Sequence, residues 1–117
     1  MMKAKCYLAG PMTGYRGFNF PAFYTAEKAL RDTGWEVLNP ARMDQEAGFD
    51  PAKWDGNPVA LRETVRRDVL AILSLRVEDG DAIVMMPHWQ WSLGARCEWA
   101  LAKWLGLDIY ELEKACD

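Results

Sequence analysis

No stretch of this chain approaches the roughly 18 consecutive apolar residues that a membrane-spanning helix needs, so a soluble protein with no membrane partner is expected. Basic residues are not in excess. The 14 Lys and Arg stand against 17 Asp and Glu, a formal charge of −3, whereas coating a nucleic acid requires a basic patch to neutralise phosphates. A nucleic-acid polymer is therefore not an expected partner, but a small anionic ligand needs only a few local donors and stays open. Cys6, Cys97 and Cys116 show neither paired nor CxxC spacing, and Met1-Met2-Lys3 leads straight into a strand signal without the apolar region of a signal peptide. Both features point to a reducing, cytoplasmic setting. A histidine-based triad would rest on His88 alone, and no metal-ligand spacing occurs, so neither metal nor cofactor is expected. Repeats and low-complexity tracts are absent.

What is present is apolar bulk: half of the 117 residues are hydrophobic, with six Trp and six Met. That length suits one compact domain spanning residues 1–117. Strand and helix signals alternate from end to end, the pattern of a parallel sheet with crossover helices. Strands are expected at residues 3–9, 35–38, 82–86 and 108–112. Asn19 reads as the cap of a first helix, with Pro21 in its first turn, an inner face of Phe23, Ala26 and Leu30, and a stop at Gly34. Asn39-Pro40 reads as the end of the second strand, with a long loop continuing to Pro58. A second helix over 59–75 aligns Leu61, Val65, Val69 and Ile72, and a third, capped by Ser92, aligns Leu93, Cys97, Ala100, Leu101 and Trp104. The fold class is α/β: a Rossmann-like or flavodoxin-like three-layer sandwich around a mostly parallel sheet of four to five strands.

In such a sheet the loops at 10–19, 39–58 and 87–98 emerge at one edge, where open α/β sheets bind ligands. Two carboxylates stand out there. Glu98 lies one turn into the helix begun by Ser92-Leu93-Gly94-Ala95-Arg96-Cys97-Glu98, where it can serve as nucleophile or base; the plain alternative is a solvated residue pairing with Arg96 or Lys103. Asp68 falls within the apolar stripe of its helix, where a charge must be paired or functional; its plain alternative is a salt bridge to Arg67 or Arg42. The loop after the first strand lacks both GxxxxGK[ST] and GxGxxG, which argues against a triphosphate or dinucleotide site. Its small residues still let backbone amides approach a sugar or phosphate, with Arg16 as a charged donor. Trp89 and Trp91 can stack on a base or fill a core or subunit interface.

The opening Tyr7-Leu8-Ala9-Gly10-Pro11-Met12-Thr13-Gly14, followed by Asn19, Gly34, Asn39-Pro40, Arg67-Asp68 and Ser92-x-Gly94-x-x-x-Glu98, resembles the nucleoside 2-deoxyribosyltransferase-like superfamily over nearly the whole chain. The likeness is to its small phage and bacterial branch. The Ser-Leu-Gly-x-x-x-Glu segment is also similar to that of deoxynucleoside 5′-monophosphate N-glycosidases, whose serine helps bind the 5′-phosphate. The resemblance implies a Rossmann-like sheet, Glu98 as nucleophile at the anomeric carbon, Asp68 assisting at the base or sugar, and Tyr7 orienting the nucleophile. Gly10, Met12, Arg16, Asn19, Asn39, Ser92 and Gly94 are the residues expected to line the substrate and its phosphate.

The residues agree with that chemistry. Breaking an N-glycosidic bond passes through an oxocarbenium-like state that a carboxylate stabilises and then captures, and a second acid such as Asp68, its pKa raised by burial, can protonate the base. The expected function is cleavage or transfer at the N-glycosidic bond of a nucleoside or its 5′-monophosphate. The competing reading is a catalytically silent module that binds a nucleotide or a protein partner. Six Trp in so short a chain also point to a homo-oligomer.

Overall fold

Side-chain alternation along the central strands decides the layering. In β1 (Lys5–Ala9), Cys6 and Leu8 face one way and Tyr7 and Ala9 the other, and all four are fully buried, as in a strand covered on both faces. β3 (Ala82–Met85) repeats the pattern: Val84 packs with Cys6 and Leu8, Ile83 and Met85 with Tyr7 and Ala9. This computed structural model describes residues 4–117, so the expected strand start at Lys3 lies outside the described residues. β1 pairs in parallel with β2 (Glu36–Leu38) and with β3, and β3 pairs in parallel with β4 (Asp108–Glu111), in the order β2-β1-β3-β4.

Helices cover both faces. α1 (Phe20–Thr33) packs Phe23, Ala26 and Leu30 onto the Cys6 face and stops at Gly34, whose φ of 110° suits a residue without a Cβ. The short α5 (Leu112–Ala115) adds Ala115 to the same layer. α3 (Pro58–Leu73) and α4 (Leu93–Leu105) cover the Tyr7 face through Ile72, Ala95 and Ala102. The result is an α/β sandwich of the Rossmann or flavodoxin type with an all-parallel four-stranded sheet. Among the described residues no helix is long and apolar enough to cross a membrane.

Four local expectations are corrected. Asn19 does not cap α1 with its side chain: Gly17, Phe18 and Asn19 all adopt left-handed backbone angles, and Asn19 Nδ2 turns back to donate to Pro11 O at 2.9 Å. The long loop contains a helix, α2 (Pro40–Glu46), because Asn39-Pro40 is a cap followed by a proline at the first helical position, with Asn39 Oδ1 accepting from Ala41 N at 2.9 Å. On α3 only Ile72 of the expected stripe is fully buried, while Leu61 and Val65 are exposed and Val69 is half-buried. On α4 the expected stripe points outward for the most part, with Leu93 70% and Trp104 88% exposed. The small residues Ala95 and Ala102 face the sheet instead, letting the helix lie close to it.

One buried charge anchors the sheet. Asp81, at the start of β3, accepts from Lys5 N through Oδ1 and from Arg76 N through Oδ2, each at 2.8 Å, tying β1 and the segment after α3 to one carboxylate. Asp81→Ala removes the acceptor for both amides, and a hydrogen bond to a charged group contributes about 1.5 to 3 kcal/mol. The variant is expected to lose about 2 to 4 kcal/mol of stability by urea unfolding, and a loss near zero would show that water replaces the carboxylate.

Candidate active site

The chain leaves β1 for one edge of the sheet and β3 for the other, so the ends of these neighbours form the topological switch point, the usual ligand crevice of an open parallel sheet. The two ends approach closely. Met86 N donates to Ala9 O at 2.8 Å, and a Cβ on Gly10 would lie 2.8 Å from Met86 Cβ. Gly10 is therefore demanded by packing alone.

Beyond β3 the chain turns through Trp89–Trp91, and Ser92 starts α4 with its Oγ accepting from Ala95 N at 3.2 Å. Ala95 and Ala102 set the inward face of that helix, and Glu98, between them, is half-buried against the sheet. There Tyr7 Oη, fully buried on β1, donates to Glu98 Oε2. Glu98 is thus not the surface partner of Arg96 or Lys103. Burial pushes its carboxyl up to about 8, with the Asp68 charge adding to the rise and the Tyr7 hydrogen bond opposing it. Burial also raises the Tyr7 hydroxyl well above its ordinary value, and the charges of Glu98 and Asp68 reinforce this.

Asp68, on α3, completes the group and is ion-paired to Arg67, Nη2 to Oδ1 at 2.8 Å. Burial raises its carboxyl above the ordinary value, and the Arg67 guanidinium limits that rise without reversing it. Arg42 is engaged elsewhere, with Nε donating to Glu27 Oε1 at 3.0 Å. Arg67 also binds the buried Asp44 of α2, Nη2 to Oδ1 at 2.7 Å. Asp44 escaped sequence reasoning because its helix reads as loop; the signal was the Asn39-Pro40 start, which puts Ala41 and Asp44 three apart on one inward face.

The remaining candidates divide. Ser92, exposed Gly94 and exposed Arg16 lie in the segments that follow β3 and β1, and a Cβ on Gly94 would meet only Ser92 Oγ, at 4.0 Å, so packing does not require that glycine. Met12 is half-buried against the first core layer, and Asn19 holds Pro11 O. Asn39 is buried with both amide ends occupied, Oδ1 by Ala41 N and Nδ2 by Phe23 O at 3.3 Å, which makes it a structural cap. Trp89 stacks on Trp99 at 5.8 Å and packs on the second core layer, whereas Trp91 stacks on His88 at 4.7 Å and stays exposed. A concavity of about 390 Å³ between Ala4, Trp35, Tyr110 and Lys114 contains none of the site residues.

The family model of DUF4406, described as a domain of unknown function, matches residues 4–111. The chain belongs to the DUF4406 family. Tyr7, Asp44, Arg67, Asp68, Ser92 and Glu98 all lie within the matched span of the DUF4406 domain. No curated protein matches the chain.

A carboxyl whose folded-state pKa lies above its ordinary 4.5 holds its proton more tightly in the folded protein; the associated stability is complete below that value and is lost as pH rises through about 8. Glu98→Gln keeps the shape and has no proton to lose. It is expected to match the parent near about pH 4 and to exceed it above about pH 8 by on the order of a few kcal/mol. Urea unfolding across this range measures the difference, and parallel profiles would show that Glu98 titrates like a solvated residue.

Proposed function

We propose that this DUF4406 domain cleaves or transfers at the N-glycosidic bond of a nucleoside, a deoxynucleoside or a 5′-monophosphate of either, with Glu98 as nucleophile, as in the nucleoside 2-deoxyribosyltransferase-like superfamily. The observation that carries this reading is the Tyr7–Glu98 hydrogen bond beside Asp68 at the sheet's switch point. A surface glutamate needs no buried tyrosine, whereas a nucleophile benefits from a donor that fixes one oxygen and leaves the other to attack. In the reaction a Glu98 oxygen bonds to C1′ as the C1′–N bond breaks, and the base departs with the bonding pair and takes up a proton. Water, or a second base, then attacks C1′ and frees Glu98.

The 5′-phosphate is assigned to the start of α4, where Ser92 and the exposed first-turn residues Leu93 and unobstructed Gly94 favour an anion, with Arg16 on the neighbouring loop. The unpartnered apolar residues Leu61, Val65, Leu93 and Trp104 support a homo-oligomer. Free Cys6, Cys97 and Cys116 fit a reducing, cytoplasmic setting.

Incubation with a panel of nucleosides and 5′-monophosphates, with released base read by chromatography, tests the enzyme. Glu98→Ala is expected to abolish release with helicity unchanged, and kcat/KM of the parent is expected to climb as pH passes through about 8, where Glu98 ionises. A panel that binds without turnover supports the silent module. Ser92→Ala is expected to shrink any preference for monophosphate over nucleoside in calorimetric titration; equal parental affinity for both removes the phosphate assignment. Light scattering is expected to exceed the 13.3 kDa of one chain, and a monomer at micromolar concentration removes the oligomer.

A further inference from the structure

Asp68 does not stand free beside the tyrosine. Arg67 sends two donors to a single oxygen of it, Nη2 at 2.8 Å and Nε at 3.1 Å from Oδ1, so the guanidinium leaves the second carboxylate oxygen unengaged. Residues adjacent in sequence diverge around a helix, and an arginine folding back along its own helix needs a second anchor to hold it there. Asp44 supplies it from α2. The side chains of Asp44, Asp68 and Arg67 are 8%, 18% and 28% exposed, so water screens this arrangement little. The charged and titratable groups facing Asp68 are Tyr7 from β1, Asp44 from α2, Arg67 on its own helix and Glu98 from α4. Arg67 is the cation among them.

We infer that Arg67 is a positioning residue: tethered by Asp44, it fixes Asp68 as an ionised, oriented hydrogen-bond acceptor, so that Asp68 binds a hydroxyl or N–H of the ligand and does not protonate the leaving base. The ligand side of this inference rests on the glycosidic reading above. Water then supplies the proton that the departing base takes up. Glu98 remains the carboxyl that holds a proton, because burial raises it, the Asp68 charge adds to the rise, and no guanidinium reaches it among the described contacts. The tether also gives α2 a part in the site, since the helix that opens the β2 connection holds Asp68 in place through one arginine.

Carbon-13 carboxyl NMR, following Asp68 through a pH titration, tests the clamp in the parent, Arg67→Gln and Asp44→Asn proteins, with amide spectra as the check on folding. Arg67→Gln removes the cation and keeps donors, and the Asp68 midpoint is expected to rise by about 1 to 3 pH units. Asp44→Asn keeps the acceptor and removes a like charge, and the midpoint is expected to fall. An arginine that merely packs beside Asp68 without pairing to its charge would leave the midpoint unmoved in Arg67→Gln. A parental Asp68 that titrates above neutral pH, or a midpoint unmoved by Arg67→Gln, overturns the inference, and if that variant does not fold, a rise in Asp44→Asn overturns it as well. On an active substrate Asp68→Asn is expected to raise KM more than it lowers kcat; a fall in kcat with KM unmoved makes Asp68 the acid and also overturns it. Opposite shifts in a protein that releases no base leave the clamp standing and remove the glycosidic reading instead.

Discussion

The parallel pairing of β1 with β3 is the constraint on which the other features depend. With Tyr7 opposite Ile83 and Ala9 opposite Met85, one face of the sheet receives α1 and the other receives α3 and α4. A one-residue slip would send Tyr7 to the wrong layer and leave Glu98 over an aliphatic surface. The same pairing brings Gly10 against Met86, so the two loops that bound the crevice start in contact. The site is therefore a by-product of register, placed by strands whose own residues are almost all apolar.

Burial then makes the crevice chemically unusual. Three carboxyls and a tyrosine share a region with one guanidinium, and that cation is committed to Asp44 and Asp68. Burial raises both carboxyls, but at Glu98 only a neutral donor opposes the rise, whereas at Asp68 a guanidinium does. Chemically similar side chains are thus driven apart by what touches them, a common route by which neighbouring acids come to differ in role.

The sheet and its strands were legible because apolar runs at β1 and β3 and the terminator Gly34 are local signals. Glu98 drew notice by its place one turn into α4, and Asp68 as a carboxylate in an apolar stripe, for which the plain alternative of an ion pair with Arg67 is present. Which face of each helix turned inward was not legible. On α4 the longest apolar stripe is the exposed one, because close approach to a sheet favours Ala95 and Ala102 over Leu93 and Trp104. Nor was Asp44 legible, since Asn39-Pro40 ends a strand and begins a helix with the same two residues. The Arg67 contact to it joins positions 23 residues apart, beyond any local pattern.

Phe18, held in a left-handed conformation, packs edge-on against Phe49 at 5.3 Å and Trp54 at 6.4 Å. Those rings come from the loop after β1 and the segment after α2, two stretches of the rim at the carboxyl edge of the sheet, and Phe18 and Phe49 both pack on the Cys6 layer. Bonded through shared aromatic contact, the two segments lose their independence: a fluctuation that lifts one must drag or break away from the other. The rim therefore has fewer ways to be open than two separate loops would have, and a ligand that needs it ordered meets a smaller entropic penalty than the combined length of exposed chain suggests.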